Sequence, residues 1–73
     1  MDNFDWDLLI TLFECKNITK TSEILRISQP SITYRLKRLE EEFGVEIVHR
    51  GRRGVAFTPQ GEYLAEYAAK MKK

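Results

Sequence analysis

The stretch from Ile27 to Glu40 constrains the fold of this chain more than any other. Ser28 is a good N-cap, and Pro30 suits the first helical turn, where a missing N–H costs nothing. Ile32, Leu36, Leu39 and Phe43 recur at spacings of four, three and four residues, which stacks them on one face of a helix. At about 100° per residue, Pro30, Tyr34, Lys37 and Glu41 fall on the opposite face, flanked by Thr33 and Arg38. A helix anchored by one side and showing hydroxyls, a phenol and cations on the other is suited to reading another molecule. Duplex DNA is the leading candidate.

The flanks predict a helical frame around that segment. A first helix runs from residue 3 to about 15, capped by Asp2 or Asn3, with Asp5 and Asp7 near its positive end. Trp6, Leu9, Ile10 and Phe13 supply its expected buried stripe. A turn at Lys16-Asn17 leads to a second helix over roughly 18 to 25, capped by Asn17 or Thr19. Ile18 and Leu25 face inward there, and the small Thr21 and Ser22 allow another helix to approach. Arg26-Ile27-Ser28 is then a three-residue turn, and Gly44 closes the third helix, which spans 29 to 43. Two helices joined by so short a turn form a helix-turn-helix.

Beyond Gly44 the pattern changes. Residues 45 to 50 alternate weakly, as a strand does; Gly51-Arg52-Arg53-Gly54 is a Gly-bounded turn, and Val55-Ala56-Phe57 is a short return strand. The expectation is a β-hairpin over 48–57 with an arginine-rich tip, in effect a wing. Thr58 and Pro59 restart a helix as N-cap and first helical residue, along which Leu64, Tyr67, Ala68 and Met71 form an apolar stripe. The fold class is therefore mainly α: a winged helix-turn-helix with a three-helix core and a two-stranded wing.

Net charge is only +1 over 73 residues, so the distribution of charge is more informative than its sum. From Lys16 to Arg38 six cations stand against one acid, Glu23, and from Ile47 to Pro59 three arginines stand against none. The acids collect at the N-terminus and in Glu40-Glu41-Glu42. Such segregation is the footprint of a polyanion-binding face.

Seventy-three residues make one small domain, burying about 60% of the surface its unfolded chain exposes. No apolar run approaches the roughly 18 residues of a membrane span, and the acidic start is wrong for a signal peptide. The single Cys15 fits a reducing cytoplasm. Cys15 and the lone His49 have no metal-site spacing, and Ser28 has no partner base, so neither a metal, a cofactor nor a catalytic residue is expected.

With these residues in view, the chain resembles the N-terminal DNA-binding domain of a LysR-type transcriptional regulator. The resemblance rests on Ser28-Gln29-Pro30, the run from Leu39 to Val45, Arg50, and Thr58-Pro59-Gln60-Gly61-Glu62, in order and at the family's spacing. It implies a winged helix-turn-helix DNA-binding domain over 1–58 and the start of a linker and dimerisation helix over 59–73. It also implies that the effector-binding domain of a full-length member is absent, so that a small-molecule effector acts only through that missing part. The chain departs from the family at Thr21-Ser22, often Ala-Ala, and at Tyr34, commonly Arg with an uncharged residue after it. Here Arg35 follows, so the contact of that family arginine is not carried over.

The resemblance and the residue chemistry together nominate a DNA-facing set. Gln29 can donate and accept toward an adenine edge, and Pro30 offers apolar contact to a thymine methyl beside Ser31. Thr33 reaches a base or phosphate, while Tyr34 projects away from the core stripe and Arg35 follows it. Lys37 and Arg38 are expected as phosphate clamps, which position a protein without reading sequence directly. Thr19, Lys20 and Ser28 join them near helix N-termini. Arg50, Arg52 and Arg53 belong to the wing, with Arg53 expected in the minor groove and Arg50 open to a structural ion pair instead. Leu64, Tyr67, Ala68 and Met71 are expected either to pack on their own domain or to pair the linker helix with its copy, weakly in so short a helix. The implied partner is double-stranded DNA carrying an interrupted palindrome. A winged-helix module that binds protein instead is the alternative, which predicts acidic or apolar residues where Lys37, Arg38 and the wing arginines stand.

Overall fold

Each helix of the chain begins at a side-chain cap, as seen in a computed structural model that describes residues 2–52 and 54–72. The N-terminal helix α1 (Asn3–Cys15) starts in a reciprocal capping box. Asp2 Oδ1 accepts from the Asp5 amide at 2.9 Å, and Asp5 Oδ2 accepts from the Asp2 amide at 3.3 Å. Asn17 caps α2 (Ile18–Leu25), and Ser28 caps α3 (Gln29–Phe43), which ends at Gly44 with φ 68°. Thr58 caps α4 (Pro59–Met71). Between α3 and α4, strands β1 (Val48–Gly51) and β2 (Gly54–Phe57) pair antiparallel, Val48 opposite Phe57 and Gly51 opposite Gly54.

The core joins Leu8, Leu9 and Leu12 of α1 to Ile32, Leu36 and Leu39 of α3, Ile47, and Ala65 and Ala68 of α4. The buried line on α1 is therefore not the predicted one. Of Trp6, Leu9, Ile10 and Phe13 only Leu9 is fully buried, and the other three pack partly against the core. The reason is that α1 is the central helix, packed on both α2 and α4, so its apolar arc is wider than one stripe. On α3 the expected residues are buried except Phe43, which lies 42% exposed in the last turn. Thr21 is fully buried, its hydroxyl donating to the Asn17 carbonyl at 2.8 Å. A small side chain with an internally satisfied hydroxyl is what a close helix contact tolerates.

The segment 45–47 is not a strand. Glu40 Oε2 accepts the amides of Ile47 at 2.8 Å and Val48 at 3.4 Å, so a carboxylate from α3 takes the place of a ladder partner. Next to it the Thr58 amide donates to the Ile47 carbonyl at 3.0 Å. The Thr58 hydroxyl also donates to the Ile47 carbonyl, at 3.2 Å, and to that of Glu46. A Cβ on Gly61 would stand 2.1 Å from the Ile47 carbonyl oxygen. The Thr58-to-Gly61 turn is thus a close backbone junction that only glycine fits.

Candidate nucleic-acid interface

The short turn Arg26-Ile27-Ser28, with Arg26 left-handed at φ 59°, brings the first turns of α2 and α3 side by side. Gln29 Nε2 donates to Thr19 Oγ1 at 3.3 Å across that gap. The Thr33 hydroxyl donates to the Gln29 carbonyl at 3.2 Å and accepts from Arg50 Nη2 of β1. A polar string therefore runs from α2 through the start of α3 to the wing. Around it lies an open groove of about 730 Å³ lined by Asn17, Ile18, Thr19, Gln29, Pro30, Thr33, Arg50, Gly51, Arg52, Gly54 and Val55. Two arginines and no acid face it among the described residues.

Of the predicted residues, Thr19, Gln29, Pro30, Thr33, Arg50 and Arg52 meet in this groove. Lys20 is exposed in the first turn of α2, with its amide donating to Asn17 Oδ1 at 2.8 Å. Ser28 is committed as the cap, its Oγ accepting from the Ser31 amide at 3.2 Å, and both serines are exposed. Tyr34 is 64% exposed, and the Arg38 guanidinium lies 5.9 Å from its ring centre. Lys37 and Arg38 are exposed on the same side of α3. Arg53, the expected minor-groove residue, lies outside the described residues.

One placement differs from the expectation, and one sets aside an alternative. Arg35 does not share the exposed face of Tyr34. Its guanidinium sits 3.3 Å from Asp5 Oδ1 and 4.4 Å from the Phe4 ring centre, tying α3 to the N-terminal turn of α1. One residue along a helix turns the side chain by about 100°, enough to move it from the groove side to the α1 side. Arg50 bonds a hydroxyl of α3, where an ion pair was the alternative to DNA contact. On α4, Ala68 is fully buried in the domain's own core, while Leu64 is half-buried and Tyr67 and Met71 are 43% and 48% exposed.

Residues that the sequence pattern assigned to caps, core, turn or strand rather than to the DNA-facing set also shape the groove. Asn17 and Ile18 form its α2 wall, and Gly54 and Val55 its wing wall. Asn17 was visible only as a cap, and the contact of Val55 with the α1–α2 turn is long-range.

An exposed, capped helix start beside a basic two-stranded wing defines the winged helix-turn-helix class. Residues 5–62 match the family described as bacterial regulatory helix-turn-helix protein, lysR family, and this chain belongs to it. It is 52% identical over 71 residues to the Bacillus subtilis (strain 168) protein named uncharacterized HTH-type transcriptional regulator YraN, covering 97% of this chain and 25% of that one. It is 36% identical over 62 residues to the HTH-type transcriptional regulator BenM of Acinetobacter baylyi, covering 85% of this chain and 20% of BenM. The chain thus spans about a quarter or less of these curated relatives. Among solved structures, it is similar to the CbnR DNA-binding domain in complex with DNA, at a TM-score of 0.91 and 30% identity, covering 97% of this chain and 82% of that one. The BenM DNA-binding domain bound to catB site 1 DNA gives 0.89 and 32%, covering 97% and 80%.

Proposed function

We propose that this chain binds double-stranded DNA sequence-specifically, as the DNA-reading module of a LysR-type transcriptional regulator. The observation that carries the reading is the acid-free groove that gathers Thr19, Gln29, Pro30, Thr33, Arg50 and Arg52 around the exposed start of α3. In this reading α3 (29–43) enters the major groove with its first turns against base edges, and the wing (48–57) lies at the backbone or minor groove. Gln29 retains a free carbonyl oxygen and one amide hydrogen beyond its bond to Thr19, the pair an adenine edge requires. Pro30, Ser31 and Tyr34 complete the base-facing row. Lys20, Lys37, Arg38, Arg50 and Arg52 supply phosphate contacts, with Thr19 and Ser28 bordering them, and Arg53 enters the minor groove.

The relatives named above are transcriptional regulators, and a binding role without catalysis is the corresponding reading here. Membership of a bacterial DNA-binding regulator family supports a cytoplasmic location, where the DNA is; no helix among the described residues is long and apolar enough to cross a membrane. We assign 1–58 to the DNA-binding unit and 59–73 to the start of a linker helix that pairs weakly with its copy. Tyr67 and Met71 are its outward side chains, Leu64 borders them, and Ala68 serves its own core. Two copies then engage half-sites of an interrupted palindrome, and any effector acts through a part of the protein not represented in these 73 residues.

Fluorescence anisotropy of the purified domain tests this with a family-type palindromic duplex and a scrambled one across a salt series. Tighter binding to the palindrome is expected. With the five cations above each meeting a phosphate, affinity falls about five-hundredfold between roughly 50 and 200 mM salt. A folded domain that binds neither duplex at low salt overturns the proposal.

A further inference from the structure

Lys16 lies in the turn between α1 and α2, in the left-handed conformation at φ 54° and ψ 31°. Glycine or asparagine adopts that conformation most readily, so a lysine there needs a compensating contact. Its ammonium donates to the Phe13 carbonyl at 2.7 Å and stands 4.1 Å from the Phe13 ring centre. The same ammonium is 5.8 Å from the ring of Phe57 on β2, and the two rings meet edge to face at 5.0 Å. On its other side, the Lys16 carbonyl accepts the Val55 amide of β2 at 3.1 Å. Gly54 closes over the same carbonyl so tightly that a Cβ would come within 2.6 Å of it.

Side chain and backbone of one residue therefore both hold β2 against the helical core. We propose that Lys16 is a positioning residue for the wing: its cation acts inward, on the Phe13–Phe57 pair, and fixes where Arg50 and Arg52 stand. It is not a phosphate contact, although it opens the basic stretch of the sequence. The part of this inference that concerns DNA rests on the proposed function; the grip on the wing does not.

Two readouts test it on the 73-residue chain: hydrogen exchange of the Val55 amide without DNA, and the salt dependence of duplex binding. Lys16→Gln is expected to speed Val55 exchange about two- to fivefold, the worth of an exposed cation over aromatic rings, by loosening the wing. It should weaken duplex binding several-fold with the slope of log K against log salt unchanged, and Lys16→Arg, which keeps the cation over the rings, should restore both. Lys20→Gln is the control, expected to reduce the slope by about 0.9, one phosphate's worth, with Val55 exchange unaltered. A Lys16→Gln variant that loses that slope while Val55 exchange stays as it was would make Lys16 a phosphate contact and overturn the proposal. Unaltered Val55 exchange overturns the grip whatever the duplex result. Absence of duplex binding by the unsubstituted domain sinks the DNA reading, and Val55 exchange still decides the grip.

Discussion

The two ends of α3 are equally rich in polar groups and use them in opposite ways. At its C-terminal end, Glu40 turns its carboxylate onto the Ile47 and Val48 amides, and Thr58 and Gly61 close on the carbonyls of Glu46 and Ile47. Every one of these contacts joins the chain to itself. At the N-terminal end, the bonds between Thr19, Gln29, Thr33 and Arg50 hold side chains in place but leave them facing an open groove. A buried polar group must be paired or it destabilises the fold, whereas an exposed one contributes little to stability and remains available to a partner. The contrast separates what holds the domain together from what it can hold.

Substitutions at the two ends should then fail in different assays. The largest effect is expected at Gly61→Ala, where the new methyl meets the Ile47 carbonyl. Overpacking against backbone costs about 3 kcal/mol, or roughly 15 °C in Tm for a domain of this size; a melt within a few degrees of the parent would break the comparison. Glu40→Gln comes next. It keeps an oxygen acceptor and loses the charge, for about 2 kcal/mol, and thermal unfolding should register it while duplex affinity of the folded protein stays unchanged. Gln29→Ala inverts that pattern. Tm should move by less than the equivalent of about 0.5 kcal/mol, while affinity falls about tenfold and discrimination relaxes at one base pair.

The smallest effect belongs to Asp2, distant from both ends. The Asp5 amide that it accepts holds its carboxyl below the ordinary 3.8. A depressed folded value means that its contribution is present above 3.8 and is lost as pH falls through the lower folded value. Asp2→Asn, which keeps a capping oxygen but no charge, should flatten that acid limb in denaturant titrations below about pH 4, matching the parent at acid pH and falling slightly below it in stability at neutral pH.

The helix limits and the hairpin were legible in the sequence because caps, spacings and glycines are local signals, and six residues expected to face DNA share one groove. Ser28, Pro30 and Gly44 mark α3 to the residue. What was not legible depends on distant partners. The inward turn of Arg35 follows from Asp5, thirty residues earlier, and the interruption of the strand at 45–47 follows from Glu40. Lys16 read as one more cation of the basic stretch, because nothing nearby in sequence announces Phe57 or Val55 as its neighbours. The α1 stripe was displaced for the same reason: its burial is set by α2 and α4 together.

The measurement closest to the central claim is an amide NMR titration of the isotopically labelled domain with the palindromic duplex at moderate salt. The largest shifts are expected at Thr19, Gln29, Thr33, Arg50 and Arg52, with Glu40, Ile47 and Gly61 nearly still. Shifts centred on the Glu40 end of α3, or none at any concentration of a duplex that the folded domain is offered, would contradict that claim.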